Sequence, residues 1–169
     1  AYYLTNGKDP SIILRRCEFY DGAEPSGNAV HAENLLKLNQ ITDNPEYLRE
    51  AEDILKAARE HIELYPPGAC YHLMSLLRYY DMKAPAILVS LNEKEEHKEE
   101  ISKMFTKHFI PHKCLIWKRE KDEELRDLIP AKRAKIPQNN KTTLYICYRD
   151  RCNAPITDLT KMWDAIHKL

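Results

Sequence analysis

The amino-acid sequence predicts a mixed α+β chain: a short β-hairpin with three helices first, then a small three-stranded α/β layer. Two patterns support this expectation. Up to about residue 82, apolar side chains recur every three or four residues, which is the period of a helix. From residue 83 onward, short continuous apolar runs alternate with helical segments, which is typical of strands connected by helices. We therefore expect one part over residues 1–82 and a second over 83–169.

The first element is predicted as a hairpin. Residues 2–5 and 11–16 are short runs suited to strands, and the polar loop between them contains Asn6, Gly7 and Pro10. The Asn-Gly pair is a favoured turn sequence, although the whole loop is longer than two residues.

Three helices are expected next, over about residues 26–39, 45–62 and 66–80. The first and third are apolar around most of their circumference, whereas the second carries one apolar stripe and one charged face. Asn44 can cap the second helix, and Pro45 suits its first position. Helices that are apolar on most faces cannot all bury those faces against one another, so we expect an exposed apolar patch.

The second part begins with a buried strand over residues 86–90, because this run is continuously apolar. A charged helix over 93–107 should turn Ile101, Met104 and Phe105 inward. A strand over 112–117, a short helix over 122–129 and a basic polar loop over 130–141 follow. The chain then forms a third strand over 142–147 and a closing helix over 158–168, capped by Thr157 or Asp158. Such an alternation implies a small parallel or mixed sheet.

The composition excludes several broad classes of function. The 26 basic and 26 acidic residues cancel, which argues against nucleic acid or an anionic membrane as the main partner. No apolar run approaches the ~18–20 residues of a membrane span, and no signal peptide is visible at the N-terminus. The sequence also contains neither a Gly-x-Gly-x-x-Gly motif nor a phosphate-binding loop, so no cofactor is predicted.

The most informative motif lies over residues 21–28, just before the first helix. It contains two carboxylates, Asp21 and Glu24, the hydroxyl of Ser26 and the amide of Asn28. Polar groups in a rigid turn at a helix start often line a pocket, where carboxylates can exchange protons with a substrate. The same residues can equally cap the helix and favour its dipole. The sequence leaves both interpretations open.

The cysteines and histidines give weaker signals. The odd count of five cysteines predicts a reducing compartment, the cytoplasm. Cys147 and Cys152 lie within disulfide range if a strand end and the following loop meet, but we expect two reduced structural thiols there. The spacing of these cysteines does not fit a metal site, and no metal is predicted. His72 lies in an apolar helix, where a satisfied buried histidine is expected over an acid–base group.

Two blocks of sequence resemble a known family. Residues 14–18 and 20–28 resemble a signature of the YyaL / spermatogenesis-associated family. A second match covers residues 145–147 and 152–158. Members of this family carry a thioredoxin-like domain followed by an α/α barrel of the six-hairpin glycosidase type. The resemblance implies that this chain corresponds to the last barrel helices, over residues 1–82, and to the small α/β segment that follows them.

The resemblance also implies a function. It suggests part of a carbohydrate-active protein similar to N-acylglucosamine 2-epimerase, inactive as this chain alone because other barrel helices would complete the site. Asp21 and Glu24 would then be catalytic, and Tyr20, Ser26 and Asn28 would bind a small sugar. The expected partners are the N-terminal barrel portion or a second copy, through exposed helices. The alternative is a non-catalytic protein-interaction module.

Overall fold

The computed structural model describes residues 1–81, 83–119, 122, 129 and 134–169. In these residues the fold is mixed α/β, as predicted, with helices and a small three-stranded mixed sheet. The chain forms two compact units. The first comprises Ala1–Asn39 and Asn44–Asp81, and the second comprises Gln40–Asp43 and Met82–Leu169.

The predicted N-terminal hairpin is wrong. Residues 1–26 contain no strand, and a single backbone hydrogen bond, from Leu4 N to Arg16 O (2.9 Å), joins the two predicted strands. The backbone of Tyr2 instead pairs with the side chain of Asn28, so a helix rather than a second strand satisfies its polar groups. The segment is therefore irregular and is tied down by side chains.

Helices α1 (Gly27–Thr42) and α2 (Pro45–Ala57) form the core of the first unit. The predicted start of α2 is confirmed, since the Asn44 side chain accepts a hydrogen bond from Glu46 N and Pro45 occupies the first turn. Small and aliphatic side chains of both helices pack together; the buried members are Ala32, Leu35, Leu36, Ala51, Ile54 and Leu55.

The rest of the first unit is more broken than predicted. The second helix ends at Ala57, and a separate short helix, α3 (Arg59–Leu64), follows it. A 3₁₀ turn then spans Pro66–Ala69, where two prolines lack the N–H of a regular α-helix. Helix α4 spans Cys70–Tyr80.

The second unit is built on a sheet in the order β2-β1-β3. The strands are β1 (Ala86–Leu91), β2 (Cys114–Arg119) and β3 (Thr143–Cys147). β1 pairs parallel with β2 and antiparallel with β3, and every residue of β1 is buried, as its apolar run predicts.

Two helices complete this unit, α5 (Lys98–Lys107) and α6 (Leu159–His167). The predicted inward residues of α5, Ile101, Met104 and Phe105, are buried, and Met162 and Ile166 of α6 join them in one core with the strands. Asp158 caps α6 by accepting a hydrogen bond from Lys161 N. Residues 123–128 of the predicted helix over 122–129, and residues 130–133 of the basic loop over 130–141, lie outside the described residues.

Candidate functional site

Asp21 lies between the starts of two helices. Its Oδ1 atom accepts a hydrogen bond from Ser26 N (2.8 Å), immediately before α1. Its Oδ2 atom accepts from Tyr71 N (2.8 Å) and His72 N (3.2 Å), in the first turn of α4. These first-turn N–H groups have no partner within their own helix, and a negative charge is favourable there. The carboxylate is therefore fully engaged in joining two helix ends across 50 residues of sequence.

Ser26 is buried and caps α1. Its Oγ atom accepts a hydrogen bond from Ala29 N (3.2 Å), and lies 3.2 Å from Nε2 of His72 on α4. The hydroxyl therefore serves a helix start and a buried imidazole rather than an open surface.

His72 is completely buried, with 0% of its surface exposed. Burial lowers the pKa of its imidazole, because the charged form loses its hydration. The nearby Asp21 carboxylate and Phe19 carbonyl act in the opposite direction, though more weakly. The Nδ1 atom of His72 has no partner with full hydrogen-bond geometry among the described residues, so the Phe19 carbonyl acts on it as a poorly aligned acceptor.

Asp21, Ser26 and His72 are the residue types of a catalytic triad, but their arrangement differs from one. In a triad the carboxylate accepts from Nδ1 of the histidine and so orients it. Here Asp21 accepts from the backbone N–H of His72 instead. Both Ser26 and His72 are buried, so a substrate cannot reach the serine hydroxyl. The cluster stabilises the packing of α1 against α4.

Asn28 ties the N-terminal segment to α1. Its Oδ1 atom accepts from Tyr2 N (2.7 Å), and its Nδ2 group donates to Tyr2 O (2.9 Å) and Glu18 O (3.0 Å). The buried amide thus acts as a neighbouring strand would, satisfying both backbone groups of one residue.

Tyr20 and Glu24 are the exposed members of the predicted site. The Tyr20 ring packs edge-on to His61, with 6.1 Å between ring centroids, and covers Gly68 so closely that a Cβ atom there would lie 2.7 Å from the ring. Glu24 contributes its backbone carbonyl to a bond from Gly22 N (3.1 Å). The predicted site therefore divides into the buried Ser26 and Asn28, the partly buried Asp21, all three with structural contacts, and two residues at the surface.

Cys147 and Cys152 form a disulfide, which corrects the expectation of two reduced thiols. The reason lies in the fold: the chain turns back after β3, so the two residues lie opposite each other with their Cα atoms 3.9 Å apart. The odd count of cysteines says nothing about such a local turn.

Helix α4 has an unusual distribution of polarity. Its buried residues are all polar: His72, Ser75 and Arg78. Met74, Leu77 and Tyr80 are 54%, 65% and 73% exposed. We call these three residues the outward apolar face. The sequence predicts an exposed apolar patch but not its position. The three polar residues recur at every third position along one side of α4, and this spacing could have indicated that the opposite side is apolar.

A groove of about 360 Å³ lies next to this face, between α2, α3 and α4. Leu55, Ile62 and Leu76 give it apolar walls. Its rim carries two ion pairs, Lys56 with Glu52 (3.2 Å) and Arg59 with Glu63 (2.7 Å). The sequence does not predict this groove, because it predicts one continuous helix over residues 45–62 where the structure has two, α2 and α3.

The described part of the chain holds no group of three metal-ligating side chains. It also contains no helix long and apolar enough to span a membrane. The fold and the site thus describe a mixed α/β chain with two compact units, a buried polar cluster and an exposed apolar helix face.

The chain is distantly similar to two kinds of known protein. It is 23% identical to Uncharacterized protein B0495.5 of Caenorhabditis elegans over 99% of this chain and 23% of that protein. It is 25% identical to human Spermatogenesis-associated protein 20 over 92% of this chain and 20% of that protein, and the mouse protein of that name is 24% identical. The chain thus spans about a fifth of the length of these curated relatives. No family model and no solved structure matches it.

Proposed function

We propose that this chain is a non-catalytic interaction module whose docking surface is the outward apolar face of α4. The observation that carries the proposal is the polarity of α4, which buries polar side chains and exposes Met74, Leu77 and Tyr80. Exposed side chains of this size, spaced three residues apart, form a continuous stripe on one side of a helix. Such a stripe is the usual feature of a helix that packs against another helix.

The proposed occupant is helical sequence of the same, longer polypeptide. The relatives are about five times as long as the aligned segment, which supports a larger protein around this one. The arrangement that we propose is the α/α barrel of the six-hairpin glycosidase type, with a thioredoxin-like domain before it. A helix in such a ring contacts a neighbour on each side: the buried polar side chains of α4 contact α1, and the outward apolar face would contact the next helix.

The groove beside α4 suits the same role. Its apolar walls can receive side chains from a docked helix, and the ion pairs on its rim stay in water. A docked helix would therefore cover both the outward apolar face and this groove.

Sugar binding is the second candidate function. The complete protein would then act as an epimerase, an isomerase or a glycosidase-like enzyme in the cytoplasm. The exposure of Tyr20 and Glu24 in one loop favours it, since aromatic rings and carboxylates suit sugar rings. A panel of sugars should then raise the melting temperature of the longer protein, and Glu24→Gln should abolish the shift. If no sugar shifts it, this candidate fails while the docking proposal stands.

The docking proposal is tested by Leu77→Glu, with Ile13→Glu as the matched control on an exposed residue outside the helices. In the isolated chain, both variants should leave the melting temperature unchanged, because both positions already face water. In the longer protein, Leu77→Glu should lower it and Ile13→Glu should not, because the new charge would be buried in the interface. An unchanged melting temperature for Leu77→Glu in the longer protein would rule the proposal out. Concentration-dependent dimerisation of the isolated chain, lost in Leu77→Glu, would assign the face to a second copy.

A further inference from the structure

The disulfide lies in a tight hairpin at the edge of the sheet. After β3 the chain turns between Tyr148 and Arg151, where Tyr148 N donates to Arg151 O (2.6 Å). The returning segment then pairs antiparallel with β3, so Cys152 lies opposite Cys147. β3 is an edge strand, and this returning segment covers its outer side.

Backbone hydrogen bonds hold this hairpin independently of the disulfide. Asn153 N donates to Ile146 O (2.9 Å), and Leu144 and Ile156 exchange two bonds (2.8 and 3.0 Å). A disulfide stabilises chiefly by restricting the unfolded chain, and the effect is small when the closed loop is short. Here the bonded cysteines are five positions apart. We therefore expect the fold to persist when this bond is reduced.

The two cysteine residues differ in exposure. Cys152 is exposed, whereas Cys147 is buried at the end of β3. Exchange requires a thiolate to approach one sulfur from solvent, and the exposed residue Cys152 is the one of the pair that lies at the surface. Cys114, a thiol at the start of β2, is buried in the same unit and provides an internal comparison.

We propose that Cys147–Cys152 is a reversible thiol–disulfide site that reacts with small dithiols and their oxidised forms. A thiolate of the dithiol attacks Sγ of Cys152, and Cys147 leaves as a thiolate that takes up a proton. The second thiol of the reagent, once deprotonated, attacks the reagent's own sulfur in the mixed disulfide, releasing Cys152 as a thiolate that is then protonated. The protein gains two thiols, and the reagent becomes a cyclic disulfide. The oxidised reagent reverses each step.

The redox state of this pair controls one wall of a cleft. A cleft of about 400 Å³ lies beside the hairpin, with Ile146, Tyr148 and Asn153 on one side and Lys161 and Asp164 of α6, with Lys168 just after it, on the other. The disulfide fixes the hairpin wall, and its reduction leaves that wall held by backbone hydrogen bonds alone. Ile156, which packs on the core just before the α6 cap, limits the change to the hairpin.

The test is alkylation of the native chain, with peptide mapping to read each cysteine separately. Without reductant, Cys152 should be unlabelled. With dithiothreitol and no denaturant, Cys152 should become fully labelled while Cys114 stays unlabelled, and oxidised dithiothreitol should restore protection. Labelling of Cys152 before reduction would overturn the proposal, because the bond would be absent. Labelling of Cys152 only together with Cys114 would also overturn it, because reduction would then require global unfolding.

The double variant Cys147→Ser/Cys152→Ser gives a second readout. Its far-ultraviolet circular dichroism should match that of the native chain, and amide exchange should accelerate at Tyr148 and Asn153 but not in β1. An unfolded double variant, or unchanged exchange in the hairpin, would contradict a reversible local site.

Discussion

At the scale of single residues, Asp21 explains why the motif over 21–28 has its composition. The carboxylate accepts three backbone N–H groups from the starts of α1 and α4, and Ser26 and Asn28 satisfy further backbone and side-chain groups. Each of these hydrogen bonds requires a short polar side chain at that position of the motif. The capping interpretation, one of the two that the sequence left open, accounts for these three residues.

The first prediction concerns the two carboxylates of this motif. Asp21→Asn replaces one accepting oxygen with an NH₂ group that faces backbone donors, so the free energy of unfolding should fall by about 1–3 kcal/mol. Glu24→Gln, at an exposed position, should change it by less than about 0.5 kcal/mol. Urea unfolding of the two variants measures both values. Equal and small effects would show that Asp21 is not a structural clamp.

The second prediction concerns pH. Because burial lowers the pKa of His72 below the ordinary value of about 6.5, the unfolded chain binds a proton there that the folded chain does not. The contribution of neutral His72 to the free energy of unfolding is fully present above pH 6.5. It decreases as the pH falls below that value, by at most about 1.4 kcal/mol per pH unit. His72→Gln should flatten the curve of unfolding free energy against pH in this range. An identical pH dependence in this variant and the native chain would exclude His72 as the source.

At the scale of elements, α1 and α4 are joined by a buried ion pair. Arg78 Nε donates to Glu33 Oε1 (2.7 Å), and both side chains are buried. Lys37 lies 3.4 Å from the same oxygen, one turn along α1. Removing one partner of such a pair leaves a buried charge, whereas replacing both with apolar side chains does not.

The third prediction follows from that difference. Glu33→Leu alone should lower the free energy of unfolding by about 3–5 kcal/mol, because Arg78 loses its buried carboxylate. Glu33→Leu/Arg78→Leu should recover most of this loss. A double-mutant cycle by urea unfolding gives the coupling directly. Additive losses would contradict the account of this pair.

The sequence predicts elements well where the signal is local. The cap and proline of α2 and the continuous apolar run of β1 are short-range patterns, and both are confirmed. The hairpin over 2–16 is wrong because a distant side chain, Asn28, binds the backbone of Tyr2. The helix-joining role of Asp21 likewise depends on residues 50 positions apart that the fold brings together, which local patterns do not report.

At the scale of the whole molecule, the polarity of α4 is consistent with the greater length of the related proteins. A helix that buries His72, Ser75 and Arg78 and exposes Met74, Leu77 and Tyr80 leaves apolar area in water, which is unfavourable unless another surface covers it. The curated relatives contain several times more sequence than the aligned segment. The two observations together support a module that docks within a longer protein.

Hydroxyl-radical footprinting of Met74 tests this central claim most directly, because methionine is readily oxidised wherever it is exposed. Met162, which is buried in the second unit, serves as the protected control. In the isolated chain, Met74 should be oxidised and Met162 should not. In the longer protein, Met74 should become as protected as Met162. Equal oxidation of Met74 in the two forms would show that the outward apolar face stays exposed, and would contradict the account.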